Sequence, residues 1–361
     1  MSKLLSQALC GSLLSLAAGS AVEDGVEACV GIESDAARLA CYDGSAGRVA
    51  PAVAAPAPNV APASVAHVPT APARKSADGW FSDASFRLAP FAARWDLGAG
   101  DDQGDVFEIK PYQAVYLLPM SWRQKVNVDP CSPNPANCAT GAGQNYKNVE
   151  AKFQISLKTK AWQDMFGSPV DLWLAYTQQS YWQVYDSADS RPFRENNFQP
   201  EAWVTMPLTL GPDWLQWRMV NLGAVHQSNG ESDPLSRSWN RVYANFGFSS
   251  GDMSLLVKPW WRIKEPAATD NNPDIADYVG RIEFQLVVPY KAHVVSLKLL
   301  NNLRSGSETP NRTNVSLDWA FPLFGNLHGY VQGFYGYGES LQNYNFRNAG
   351  VGLGVSLAQW R

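Results

Sequence analysis

Val351-Gly352-Leu353-Gly354-Val355-Ser356-Leu357 alternates without a break, and the segment ends at Trp360, just before Arg361. A period of two sends successive side chains to opposite faces of a strand. One face is wholly apolar; the other carries Gly352, Gly354 and Ser356, small and uncharged. Such a strand expects an apolar medium on one side and a crowded or polar interior on the other.

The same alternation recurs backwards along the chain, interrupted by polar and turn residues. It predicts twelve strands near 109–122, 146–159, 171–185, 197–208, 213–228, 237–249, 253–264, 275–288, 291–301, 311–320, 328–337 and 348–360. Residues 81–97 also alternate and either cap or extend the first strand. Connections after even-numbered strands are short, such as Leu210-Gly211-Pro212-Asp213 and Pro289-Tyr290. Those after odd-numbered strands are long, such as 123–145 and 265–274. Short turns on one side and long loops on the other, with an aromatic residue near the C-terminus, indicate a twelve-stranded antiparallel transmembrane β-barrel, an all-β fold. A soluble β-protein is the competitor, disfavoured by the loop asymmetry and by the export signal described next.

Composition agrees. The 361 residues are 45% hydrophobic and only 17% charged, with 14 Trp and 14 Tyr. After the N-terminus no apolar run approaches the ~20 residues of a spanning helix. A net charge of −4 without a basic cluster argues against nucleic-acid binding. At the N-terminus Lys3, an apolar stretch over 4–18 and Gly19-Ser20-Ala21 read as a signal peptide, 1–21. The Ala/Pro-rich stretch within 50–79 reads as a semi-rigid linker, and 80–361 as the barrel domain. Four cysteines follow the signal: Cys29 with Cys41, and Cys131 with Cys138. Of three possible pairings the local one needs least rearrangement, so two disulfides are expected in an exported chain, the first closing a small periplasmic segment, 22–49. A zinc site is the alternative, weakened by the distance of every histidine from both pairs.

The chemistry is concentrated in Val225-His226-Gln227-Ser228-Asn229-Gly230 and Ser236-Arg237-Ser238-Trp239-Asn240-Arg241. On a strand, His226 and Ser228 share a face, where an imidazole can take the proton of a hydroxyl nucleophile. A hairpin centred on residue 233 places Asn240 opposite His226, within reach of one ring nitrogen. That gives a nucleophile, a base and an orienting partner, as in a Ser-His-Asp triad with a neutral third member. Parity sets the trio at the end of an apolar stripe, with Val220, Leu222 and Ala224 on one strand and Val242, Ala244 and Phe246 on the next. The opposite face holds Asn221, Gln227, Arg241, Tyr243 and Asn245, as a polar lumen requires. A catalytic group on the outer rim of that stripe meets lipid rather than a soluble metabolite.

These stretches, with Ser232-Asp233-Pro234, Tyr176-Thr177-Gln178-Gln179-Ser180, Pro192-Phe193-Arg194-Glu195, Lys258-Pro259-Trp260, Tyr335-Gly336-Tyr337-Gly338-Glu339-Ser340-Leu341 and Tyr344-Asn345-Phe346, resemble the outer-membrane phospholipase A family over about 105–360. The resemblance implies calcium-dependent hydrolysis of phospholipid and lysophospholipid acyl esters (phospholipase A1/A2) in the outer leaflet of the outer membrane, by a homodimer. It implies Ser228 as nucleophile, His226 as base and Asn240 as its orienter. For calcium it implies the Ser236 side chain, the carbonyl at Glu231 (commonly Arg in the family, a departure) and a carbonyl at Ser190 from the second subunit. Calcium and the Ser228 amide would then stabilise the oxyanion. Asp233 is either a second acidic contact or the turn residue before Pro234. Gln178, an amide on an apolar stripe, is implied at the dimer interface; the alternative is contact with headgroups at the rim. A catalytically silent barrel, such as a pore or adhesin, is the competing function, with an outer-membrane protease a third.

Overall fold

The computed structural model describes residues 29–46, 90–98, 106–141, 145–307, 309–325 and 327–358. The expected signal peptide, the linker over 50–79, residues 81–89 and Trp360 lie outside these. The chain divides into two units, Met1–Arg74 and Lys75–Arg361. In the first, helix α1 (Asp35–Ser45) follows Cys29, and a Cys29–Cys41 disulfide ties it to the preceding turn. Arg38 donates to the Ile32 carbonyl at 3.2 Å across the same turn.

The second unit is a closed barrel of twelve antiparallel strands: β1 (Val115–Arg123), β2 (Val149–Trp162), β3 (Asp171–Trp182), β4 (Phe193–Leu210), β5 (Gln216–Ser228), β6 (Ser238–Ser250), β7 (Met253–Ile263), β8 (Ile282–Tyr290), β9 (His293–Asn301), β10 (Thr313–Phe324), β11 (Leu327–Gly336) and β12 (Asn348–Ala358). Each pairs with the next, and β12 returns to β1 through pairs such as Val351↔Trp122 and Gly352↔Ser121. Closure leaves no strand edge to solvate, which is the condition for a sheet in hydrocarbon.

All twelve expected strands are present, with three local differences. Residues 275–278 form a helical turn, α3 (Ile275–Tyr278) by position in the chain, rather than the start of β8. Pro273 removes a ladder donor ahead of it. The turn's carbonyls are then taken by side chains: Asn302 Nδ2 and Arg312 donate to Asp277 O at 2.8 and 2.9 Å, and Asn314 Nδ2 to Tyr278 O at 3.0 Å. Ahead of β1, only Lys110–Pro111 makes a short ladder, with β2, before the chain bends into Val115. Finally, part of the alternating stretch before β1 is a short helix, α2 (Phe91–Trp95), packed on inward-facing side chains.

That helix fills one end of the lumen. Gly247 makes room for it, because a Cβ there would lie 2.5 Å from Phe91 Cζ. Arg94 donates to Ser254 Oγ at 2.9 Å, and its carbonyl accepts from Lys158 Nζ at 2.7 Å. Trp95 meets Tyr112 and Trp203 edge-on. Elsewhere many inward residues are polar and bonded to one another, as with Ser156 and Thr177 at 2.7 Å or Lys152 on Gln332 at 2.7 Å, beside a smaller apolar cluster that includes Leu118, Val287 and Val294. The outward row is apolar and exposed: Leu222 is 47% exposed while its neighbour Asn221 is buried. The short turns all fall at one end of the barrel; the loops that carry the site fall at the other.

Candidate active site

β5 ends at Ser228 and β6 begins at Ser238, so residues 229–237 form the loop between them. Strand pairing runs His226↔Asn240 and Ser228↔Ser238, the register expected for a hairpin centred on 233. Directly opposed positions bring Cβ atoms to about 5 Å. The side chains complete the approach: His226 Nδ1 and Asn240 Oδ1 lie 2.8 Å apart. His226 is exposed, while Ser228 and Asn240 are half-buried. All three sit on the outward face with Leu222, Ala224 and Val242. Gln227 and Arg241 point the other way and meet each other at 3.1 Å inside the barrel.

The loop is held from beneath. Asn229 is buried; its Oδ1 accepts from Arg237 N at 2.9 Å and Glu231 N at 3.3 Å, and its Nδ2 donates to Leu235 O at 2.8 Å. Arg237, fully buried, spreads its guanidinium over four carbonyls. Pro234 O at 3.0 Å and Ser236 O at 2.7 Å belong to its own loop. Pro130 O at 3.3 Å and Asn137 O at 2.9 Å belong to the β1–β2 loop. With no carboxylate in that cradle, burial lowers the guanidinium from its ordinary range.

The β1–β2 loop is itself closed by a Cys131–Cys138 disulfide, the expected local pair. Asn137 Nδ2 donates to Asp233 Oδ1 at 2.6 Å. Asp233 sits at the cis Asp233-Pro234 bond, its Oδ1 taken by this amide and its side chain exposed. From the β7–β8 loop, Asn271 and Asn272 both accept from Ser238 N, at 2.9 and 3.0 Å. Asp274 in that loop accepts from the Tyr344 hydroxyl. Burial pushes the Asp274 carboxyl above the usual range, and burial with the nearby carboxylate pushes the Tyr344 phenol up as well.

The expected calcium residues are distributed as follows. Ser236 Oγ accepts from Asn271 Nδ2 at 3.1 Å, and Glu231 is exposed in the loop beside it. Ser190 lies on a different loop, between β3 and β4, exposed and at φ +59°. Among the described residues no three His, Cys, Asp or Glu converge on a metal position. Gln178 points outward from β3, half-buried. Within its own strand, Tyr176 Oη donates to its Oε1 and its Nε2 donates to Ser180 Oγ, each at 3.1 Å.

Several residues of the matched motifs prove to be braces. Arg194 forms a two-pronged bond with Glu150, at 2.8 and 3.0 Å, and Glu195 Oε1 accepts from Gln342 N at 2.8 Å. Sequence reasoning did not single out Asn229, Arg237, Asn271 or Asn272. Nor did it find Glu265, whose Oε1 accepts from Asn240 Nδ2 at 3.2 Å. The Asn pair before Pro273 was the one visible signal, since loop asparagines commonly bond neighbouring backbone.

Comparison with known proteins gives the family of the chain. A family model described as phospholipase A1 matches residues 92–357. A putative phospholipase A1 of Neisseria meningitidis is 36% identical over 271 residues, 74% of this chain and 69% of that protein. The phospholipase A1 of Escherichia coli is 34% identical over 251 residues, 70% of this chain and 82% of that protein. The solved outer-membrane phospholipase A of E. coli superposes with a TM-score of 0.63 at 32% identity, covering 72% of this chain and 95% of that one. The same protein has been solved as an active-site mutant with asparagine changed to alanine. The Salmonella typhi outer-membrane phospholipase, solved as a dimer with bound calcium, matches with a TM-score of 0.63 at 33% identity, over 72% of this chain and 96% of that one.

Proposed function

The chain belongs to the phospholipase A1 family, ester hydrolases built on an outer-membrane β-barrel, and we propose that Ser228, His226 and Asn240 carry its chemistry. The observation behind this reading is the 2.8 Å contact between His226 Nδ1 and Asn240 Oδ1, with Ser228 two residues away on the same apolar, outward face. Asn240 holds the ring through Nδ1–H. Nε2 is left to take the Ser228 proton as the hydroxyl attacks an acyl carbonyl, and later to return it to the departing alcohol. The asparagine at the active site of the E. coli relative is consistent with that role for Asn240.

The substrate follows from position. A nucleophile at the rim of a lipid-facing stripe meets acyl esters at the headgroup boundary of a phospholipid or lysophospholipid. The reading covers both acyl positions, in the outer leaflet.

Calcium fits the residues present. Ser236 Oγ and the Glu231 carbonyl are hard oxygen donors, which this ion prefers. Two oxygens from one chain fall well short of the six to eight that calcium takes. The Ser190 carbonyl of a second copy would add to them, with Gln178 on the dimer face; the calcium-bound dimer of the S. typhi relative supports this. Glu231 brings a carboxylate to the same loop. When bound, the ion supplies positive charge beside the oxyanion that Ser228 attack creates.

The test is fatty-acid release from phospholipid by purified protein in detergent, with calcium and with chelator. Hydrolysis with calcium, lost on chelation and reduced at least ~10³-fold by Ser228→Ala, is the expected result. Activity that survives Ser228→Ala removes Ser228 as nucleophile. No activity under any calcium condition makes the barrel a silent member of its family.

A further inference from the structure

We infer that Glu265 is a positioning residue for hydrolysis: through Asn240 it fixes which nitrogen of His226 faces Ser228. This rests on the reading of Ser228, His226 and Asn240 as the hydrolytic trio.

The strand register brings Glu265 to the site. Asn240 on β6 pairs with Ile263, the last residue of β7. Trp261 and Ile263 are outward and exposed, 64% and 47%. Glu265 continues their row two residues past the strand end, on the face that carries Asn240. There its Oε1 accepts from Asn240 Nδ2 at 3.2 Å, while Asn240 Oδ1 faces His226 Nδ1 at 2.8 Å.

The two contacts use the two ends of one amide. An aspartate in the third position of a triad has only acceptor oxygens, so it holds Nδ1–H whichever way it turns. An asparagine can turn over, and its NH₂ would then donate to Nδ1. That flipped state puts the proton on Nε2, where the ring cannot accept from Ser228. A carboxylate behind the amide removes the ambiguity, because ionised Glu265 can only accept. It holds NH₂ on its own side and Oδ1 toward the ring. The bond is charge-assisted and half-buried, so it outweighs a neutral competitor of similar length.

The experiment compares Glu265→Ala, Glu265→Gln and Glu265→Lys at saturating calcium, with Ser228→Ala as reference. Glu265→Gln keeps an acceptor and should stay within about twofold of the parent in kcat. Glu265→Ala leaves the amide free and should lose about tenfold in kcat with KM unchanged. Glu265→Lys offers only donors, favours the flipped amide and should fall below Glu265→Ala. The ¹⁵N shifts of His226, recorded above the histidine titration range and assigned with a His226 variant, should show Nδ1–H in the parent. They should show a growing Nε2–H fraction from Glu265→Ala to Glu265→Lys. A merely structural contact would not order the variants by their capacity to accept. If Ser228→Ala abolishes hydrolysis while Glu265→Lys keeps both kcat and the Nδ1–H tautomer, Glu265 has no positioning role. If Ser228→Ala is itself active, the trio reading fails first.

Discussion

Replacing Arg237 by methionine keeps most of the buried stem and deletes the guanidinium that ties the site loop to the disulfide loop. Four carbonyls lose a donor. Pro130 O and Asn137 O retain backbone donors, Ala139 N and Ser132 N, each at 3.1 Å. Ser236 O keeps a 3.4 Å contact from Asn137 Nδ2, and Pro234 O is left to water. The shortest bonds, 2.7 Å to Ser236 O and 2.9 Å to Asn137 O, set the scale. At about 1.5–3 kcal/mol for each bond to a charged group, they sum to about 3–6 kcal/mol. Relief from burying a cation with no carboxylate in direct contact offsets part of this, leaving about 2–4 kcal/mol. The loss is local, so the opening equilibrium of residues 229–238 rises by about 30- to 10³-fold. Amide hydrogen exchange by mass spectrometry in detergent reads it directly. Arg237→Met should lose protection over 130–139 and 229–238 while the strands keep theirs, and hydrolysis should fall with it. Arg237→Lys, with three donors and no fork, should lie between. Unchanged protection in Arg237→Met would mean that desolvation cancels the four bonds and that the cradle is no brace.

Asp274 carries a pH signature. Its folded pKa is raised, so the stability it contributes is present below the usual carboxylate range and is lost as pH rises through the elevated value. Thermal unfolding in detergent should therefore show a decline as pH rises above the usual carboxylate range that Asp274→Asn flattens, since the amide oxygen still accepts from Tyr344; an unchanged slope assigns the decline elsewhere. At the closing seam, a Cβ on Gly354 would lie 2.1 Å from Leu117 O and 2.7 Å from Leu118 Cα, both backbone atoms. Gly354→Ala should cost about 1–3 kcal/mol, seen as a lower denaturant midpoint of the folded barrel, and an unmoved midpoint would show that the seam yields. Reducing Cys131–Cys138 releases a short loop worth about 2–3 kcal/mol by closure entropy. Protection should drop at 130–139 and, through Asn137 and Arg237, at 232–237; a loss confined to the first segment would disconnect the two loops.

Sequence by itself determined the barrel, because membrane strands have one periodic constraint that every residue reports: apolar outward, polar or small inward. All twelve strands were legible for that reason, and so was the facing of His226, Ser228 and Asn240, since parity plus one hairpin centre fixes cross-strand partners. Where the period gave no guidance, local structure was decided by neighbours remote in sequence. The turn at Ile275–Tyr278 exists because Asn302, Arg312 and Asn314 take its carbonyls. The helix Phe91–Trp95 exists because the lumen offers Gly247 and Ser254. The supports of the site belong to the same class. Arg237 was visible as a charged residue in a loop, but its burial among carbonyls of two loops follows only from their docking. Glu265 reaches Asn240 because β7 ends opposite it, a juxtaposition of residues 25 apart that no local pattern encodes. Period-two patterning specifies which face a residue takes; only the closed barrel and its packed loops specify what meets it there.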